Sequence, residues 1–198
     1  MGQCEQIAPI ILAAGSSKRL GFPKPLAAFG GKTALLIAIE NCSRLGPPIV
    51  VLGCDAGRVR ACVPRTVRVV VNRYWREGQL SSLLCALKRI GSAAAVMIYP
   101  VDHPLLKKRN IQQLVQAFRA RNSPQEIVMP RHKGVCGHPI IMSAALRSEL
   151  LRAKTAREVV YRDPERIRLI EAHTTAIHED FDTVESYRKC VRKFEERT

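Results

Sequence analysis

Aromatic side chains are scarce in this 198-residue chain, at 5% of positions, and acidic ones are outnumbered, 17 Asp and Glu against 32 Lys and Arg. Few aromatics argue against a binder of single-stranded nucleic acid, which stacks bases on such rings. No apolar run approaches the roughly 18 residues of a membrane-spanning helix. The N-terminus also lacks a basic stretch leading into a long apolar core, so neither a membrane span nor export is expected. Gly2 is followed by Gln6 where a myristoylation signal needs Ser or Thr, so no lipid anchor is expected either. The 7 cysteines form no C-x-x-C pair and no regular framework, which suits a reducing, cytoplasmic setting. Cys42, Cys54, Cys62 and Cys85 sit among aliphatic neighbours and read as small buried apolar residues. Two nucleotide signatures are missing as well: no Gly-Lys-Ser/Thr completes a Walker pattern, and Gly15 lacks the companion glycines of a dinucleotide fingerprint. Internal repeats, low-complexity tracts and long linkers are absent.

What is present begins with charge. A formal net charge of +15 implies anionic ligands or partners, whether nucleic acid, an acidic surface or phosphorylated small molecules. With 46% hydrophobic and 25% charged residues the composition is that of an ordinary globular protein, and its length suits one domain over residues 1–198. Short apolar runs at Ile7–Ala13, Ile49–Gly53, Val67–Val71, Ala93–Tyr99, Ile127–Met129 and Pro139–Met142 read as strands buried on both faces. Helical stretches lie between them at Thr33–Leu45, Ala56–Cys62, Ser81–Ile90, Asn110–Arg121 and Ala144–Lys154. In the fourth of these, Ile111, Leu114, Val115 and Phe118 make one apolar stripe, with Asn110 placed to cap it. Alternation of this kind predicts an α/β three-layer sandwich, a mostly parallel sheet with helices on both faces, which binds ligands beyond the carboxyl ends of its strands.

The most informative stretch is Ile11 to Lys24, ILAAGSSKRLGFPK, where an apolar strand stops at small residues and then delivers Lys18, Arg19 and Lys24 in one loop. Small residues let backbone N–H groups approach an anion closely, and the nearby cations can neutralise phosphate charge. Further on, Asp102 leaves a buried strand between Pro100 and Pro104. A carboxylate fixed there could hold Mg²⁺ beside phosphates, or could simply cap the following turn. The acidic cluster Glu179–Glu185 offers Asp182 or Thr183 as the cap of a helix beginning near Val184. Asn72-Arg73-Tyr74-Trp75-Arg76-Glu77-Gly78-Gln79-Leu80-Ser81-Ser82 reads either as a polar helix entry facing a base and ribose, or as plain helix entry with Ser81 as cap and Trp75 in the core. Between two strands, Arg131 to Pro139 carries Gly134, Gly137 and His138 with basic neighbours, which suits a phosphomonoester or a solvated hairpin.

Taken together these segments resemble the MobA-like nucleotidyltransferases, and most closely their molybdenum cofactor cytidylyltransferase branch. Residues 12–24 resemble the signature L-A-A-G-x-S-x-R-(M/L)-G-x-x-K; residues 72–82 resemble N-x-x-W-x-x-G-(Q/M)-x-x-S. Residues 134–139 are similar to G-x-x-G-H-P, and residues 180–186 to D-x-D-T-P-E-D. The metal loop G-D-x-P is matched with Val101 in place of its glycine and His103 at the x position. Only Ala156 and Arg157 remain of a G-D-x-G-A-R segment. The resemblance implies a Rossmann-like nucleotidyltransferase fold. It also implies a nucleotide site of Leu12, Ala13, Ala14, Gly15, Ser16, Arg19, Lys24, Asn72, Gly78, Gln79 and Ser82, with Arg19, Lys24 and Asp102 catalytic. Asp102 and Asp182 would hold Mg²⁺, Asp180 being the weaker ligand, while Gly137 and His138 would bind the acceptor. Ala13-Ala14-Gly15 is similar to the CTP-using branch, so the implied reaction joins CTP to molybdopterin cofactor and releases pyrophosphate. An acidic molybdoenzyme or chaperone is the partner this charge would suit; no membrane and no nucleic acid are implied. Transfer to a sugar 1-phosphate or another small phosphate, and a non-catalytic basic polyanion-binding domain, are the alternatives the residues leave open.

Overall fold

The computed structural model describes residues 5–197, so Gly2 and Cys4 lie outside the described residues. Its first strand, β1 (Ile7–Ala13), sends alternate side chains to two cores: Ile7, Ile11 and Ala13 to one, Ile10 and Leu12 to the other. A small hairpin of β2 (Ala28–Phe29) and β3 (Lys32–Thr33) leads into α1 (Ala34–Asn41), where Thr33 Oγ1 caps the first turn by accepting from the Leu36 N–H at 3.2 Å. Strand and helix then alternate through β4 (Ile49–Leu52), α2 (Ala56–Arg60), β5 (Arg68–Val71), α3 (Gln79–Leu87), β6 (Ala95–Pro100) and α4 (Lys108–Arg119). The chain closes with β7 (Ile127–His132), β8 (Val135–Cys136), β9 (Ile140–Ser143), α5 (Arg147–Arg152), α6 (Ala156–Val160), β10 (Ile167–Glu171) and α7 (Val184–Glu195).

The main sheet runs β10-β7-β9-β6-β1-β4-β5, with β8 added to β7. β9 pairs antiparallel with both β6 and β7, and the short β8 antiparallel with β7; the remaining pairings are parallel. One face is covered by α1, α4 and α7 through Leu35, Ile111, Leu114, Phe118 and Cys190. The opposite face is covered by α3, α5 and α6 through Leu83, Ala86, Leu150 and Val159. Helix, sheet and helix therefore form three layers. With both faces packed, β1, β4 and β6 can be almost wholly aliphatic, and the polar groups of the protein are driven to the strand ends.

Several expectations need correction. β5 is not buried on both faces: Arg68 and Val71 are exposed, because the strand lies at the sheet edge with β4 as its one neighbour. Of the four cysteines read as buried, only Cys42 is; Cys54 and Cys62 are exposed and Cys85 is half-buried. Aliphatic sequence neighbours do not bury them, since Cys54 follows the end of β4 and Cys62 lies just beyond the short α2. Asn110 is not the cap of α4. The helix starts at Lys108, and Asn110, in its first turn, reaches back so that Oδ1 accepts from the Lys107 N–H at 2.9 Å. The strand β10, the helix α6 and the short strands β2, β3 and β8 were not expected. No described helix is long and apolar enough to cross a membrane.

Candidate active site

The carboxyl end of β1 passes through Ala14 into an exposed loop. Ala14 O accepts from the Cys54 N–H at 3.0 Å, which ties this loop to the end of β4. The contact is so close that a Cβ on Gly53 would stand 2.5 Å from Ala14 O and 2.7 Å from Trp75 Cβ. Gly53→Ala is therefore expected to shift the loop and cost about 1–3 kcal/mol of stability, the usual range for overpacking. Thermal denaturation checks the loss. Gly15 differs, because a Cβ there would meet no atom of the described residues within 4 Å apart from its own chain neighbours. Packing does not demand glycine at this position, which lies on the wall of a cavity.

Ser17 holds the loop in shape. It adopts a left-handed conformation (φ 49°), its carbonyl accepts from the N–H groups of Leu20 and Gly21 at 3.0 and 3.2 Å, and its Oγ accepts from the Lys24 N–H at 3.0 Å. Leu20 is buried beneath, leaving Lys18 and Arg19 exposed. Sequence reasoning gave Ser17 no role, although its place between a glycine and the cations was a usable signal.

The resulting cluster joins three distant segments. Lys24 Nζ donates to Asp102 Oδ2 at 2.6 Å and also to Asp182 Oδ1, while Arg19 Nη2 donates to Asp182 Oδ2. Asp102 is fixed by the strand end, where the Val101 N–H donates to Leu12 O at 3.1 Å, and by His103 Nδ1, which lies 3.1 Å from Asp102 Oδ1. Thr183, not Asp182, caps α7: Thr183 Oγ1 accepts from the Ser186 N–H at 3.2 Å. That leaves the Asp182 carboxylate free for the cations. Burial pushes the Asp102 carboxyl upward, but His103 and then Lys24 outweigh it and hold the group well below the usual carboxylate range. Burial likewise disfavours the charged form of Lys24, and the two aspartates outweigh that, so the ammonium titrates above its ordinary value. The neighbouring Asp180 is pushed up, by burial first and by Asp102 second.

Two carboxylate oxygens thus converge on one cationic position. Among the described residues no group of three or more His, Cys, Asp or Glu side chains could hold a metal. A pair of hard oxygen donors still fits Mg²⁺ or Mn²⁺, which commonly takes one or two carboxylates and fills the rest of its shell from phosphate and water. A cavity of about 300 Å³ opens here, lined by Gly15, Ser16, Arg19, Lys24, Asp102 and Asp182 among others.

Leu12 lines both this cavity and a second one of about 290 Å³, whose wall includes Gln79, Leu83, Gly137, His138 and Arg157. Asn72 and Ser82, expected around a base, are instead 3% and 4% exposed. Asn72 Nδ2 donates to Ser81 Oγ at 2.8 Å and Ser82 Oγ at 3.0 Å, and its Oδ1 accepts from the Tyr74 N–H at 2.9 Å. These groups tie the β5–α3 loop, Gly78 (φ 99°) turns it into α3, and Gln79 is the residue of that set on the cavity wall. Ser81 does not cap α3, which begins at Gln79; its one hydroxyl proton is shared between Gly78 O at 2.8 Å and Tyr74 O at 3.0 Å. Trp75 is half-buried, with the Arg76 guanidinium 4.6 Å from its ring centroid.

On the opposite wall, a Cβ on Gly137 would stand 2.4 Å from Ile177 O, so glycine is needed for the two loops to touch. The His138 N–H donates to that same carbonyl at 3.0 Å. Burial, then the nearby His103, pushes the His138 imidazole down to about 4, so it is neutral at physiological pH. Among the described residues its buried Nδ1 has no hydrogen-bond partner. Arg157 joins this wall although sequence reasoning kept it only as the remnant of an altered segment.

A family model for the MobA-like NTP transferase domain matches residues 9–173. Nicotine blue oxidoreductase of Paenarthrobacter nicotinovorans is 30% identical over 194 residues, 89% of this chain and 92% of that protein. Among solved structures, Rv0371c of Mycobacterium tuberculosis H37Rv aligns with a TM-score of 0.83 and 26% identity over 96% of this chain and 100% of that one. Its complex with manganese aligns with a TM-score of 0.76 over 94% and 98%. Molybdopterin-guanine dinucleotide biosynthesis protein A of Archaeoglobus fulgidus has the same fold, with a TM-score of 0.74 at 13% identity over 96% and 100%.

Proposed function

That the chain belongs to the MobA-like NTP transferase family is the premise from which we propose its function: a cytoplasmic, single-domain cytidylyltransferase that joins CTP to the phosphate of molybdopterin cofactor and releases pyrophosphate. The observation that carries this reading is the cluster of Lys24, Asp102 and Asp182 beside the open Gly15 loop. A purely polyanion-binding surface gains nothing from two carboxylates facing its ligand; a transferase has a use for both.

In the reaction, an acceptor phosphate oxygen attacks the α-phosphorus of the triphosphate. The bond to the β-phosphate oxygen breaks, and pyrophosphate leaves with its electron pair. Lys24 stabilises charge at the α-phosphate and Arg19 at the β- and γ-phosphates, while the backbone of Leu12 to Ser16 allows close approach. Asp102 and Asp182 would hold Mg²⁺, which when bound neutralises charge on the phosphate oxygens. Gln79 faces the nucleotide, and Asn72, Gly78 and Ser82 shape the loop that presents it. Gly137, His138 and Arg157 receive the acceptor. His138 serves as a neutral positioner, since a phosphomonoester with a second pKa of about 6 is already ionised and needs no base.

Pyrophosphate release measured with Mg²⁺ and each of the four NTPs, with and without molybdopterin cofactor, tests the proposal. Release with CTP alone among the triphosphates, dependent on the cofactor, is expected. Release with another triphosphate or onto a sugar 1-phosphate would keep the chemistry and change the substrate. Polyanion binding without release would overturn the enzyme reading.

A further inference from the structure

The two oxygens of Asp102 have different surroundings. Oδ2 faces the Lys24 ammonium at 2.6 Å, whereas Oδ1 is engaged by His103 Nδ1 at 3.1 Å. Against a carboxylate, that ring nitrogen must carry the proton, because two lone pairs would repel. His103 is itself buried, only 5% exposed. Tyr99 Oη donates to His103 O at 3.2 Å, and Asn41 Nδ2 donates both to Tyr99 Oη at 3.1 Å and to Leu106 O at 2.8 Å. On another side the His103 ring meets His138 edge-on, with centroids 5.5 Å apart. A buried polar chain from α1 through β6 thus fixes a histidine behind the carboxylate.

We propose that His103 is a positioning residue that sets metal selectivity: by donating to Asp102 Oδ1 it leaves Oδ2 as that carboxylate's single oxygen for a cation, so the site takes Mg²⁺ or Mn²⁺ and discriminates against Ca²⁺. Ca²⁺ readily takes a carboxylate through both oxygens and gathers six to eight ligands, whereas Mg²⁺ requires a near-octahedral shell. Occupying one oxygen therefore penalises the larger ion more. The inference rests on Asp102 being a metal ligand, as proposed above.

The test titrates the full-length protein with Mn²⁺, following the free-ion EPR signal, and then competes it with Ca²⁺. His103→Leu is expected to lose about tenfold in Mn²⁺ affinity, the low end for removing a partner behind a metal ligand. Its Ca²⁺ affinity should hold or rise, so the Mn²⁺/Ca²⁺ ratio falls by at least that factor. His103→Asn, which keeps a donor, is expected to restore most of the ratio. Equal weakening of both ions in His103→Leu, or a wild type that does not prefer Mn²⁺, would overturn the proposal; the second measurement stands even if the leucine variant does not fold. Wild-type Mn²⁺ affinity retained in Asp102→Asn would instead overturn the metal reading beneath it.

Discussion

Asp102→Ala is expected to lower pyrophosphate release by about a thousandfold, the upper range for deleting one preorganised electrostatic group from an active site. The Asp102 carboxylate has two roles in this cluster. It is one of the two groups converging on the cationic position, and it is the principal counter-charge of Lys24, whose side chain is only 14% exposed. Without it, Lys24 is left to Asp182, which it shares with Arg19. Its removal also has a pH signature. The folded-state pKa of Asp102 lies below its unfolded value, so its ionisation stabilises the native protein above the unfolded pKa of roughly 3.9 and that contribution fades as pH falls further. The alanine variant lacks this contribution at neutral pH and so should lose less stability on acidification. Urea midpoints of both proteins at neutral pH and near pH 3 measure the difference. Equal acid sensitivity would mean the pairing with His103 and Lys24 does not hold in solution.

Phe181→Ala should produce the largest loss of stability, about 3–5 kcal/mol, the range for truncating a buried phenylalanine. Its ring is fully buried, and packs against Phe29 and Tyr187 with centroids at 5.3 and 5.7 Å. The ring also stands 5.9 Å from Lys24 Nζ and is flanked in sequence by Asp180 and Asp182. One side chain therefore anchors both the packing of α7 and the position of a carboxylate. The variant should lose activity even at temperatures where it remains folded. Urea unfolding gives the stability term, and activity below the transition gives the other. Full activity in a destabilised but folded variant would separate Asp182 from its anchor.

The central strands were readable from sequence because both faces of them are buried, so composition alone betrays β1, β4 and β6. Edge strands were harder. β10 carries Arg168 and Glu171 among its aliphatic residues, and β5 is half exposed, since a strand with one neighbour tolerates polar side chains. Ile11 to Lys24 stood out because small residues and cations are adjacent in the chain. The meeting of Asp102 with Asp182 was legible only through resemblance, because no local pattern encodes a contact between such distant segments. Ser17 and His103 were passed over for a related reason: their roles consist of a backbone conformation and a buried hydrogen bond, neither of which leaves a periodic trace.

Trp75 is the one tryptophan of the chain. Its Cβ fills the space a side chain at Gly53 would need, Ala14 lies against that same glycine, and a guanidinium rests over the indole face. The protein therefore carries its own optical probe, with no second indole to dilute the signal. Because Gly53 links Trp75 to the Ala14 end of the loop, a ligand settling there is expected to change the emission of that ring, so that occupancy becomes readable without a label.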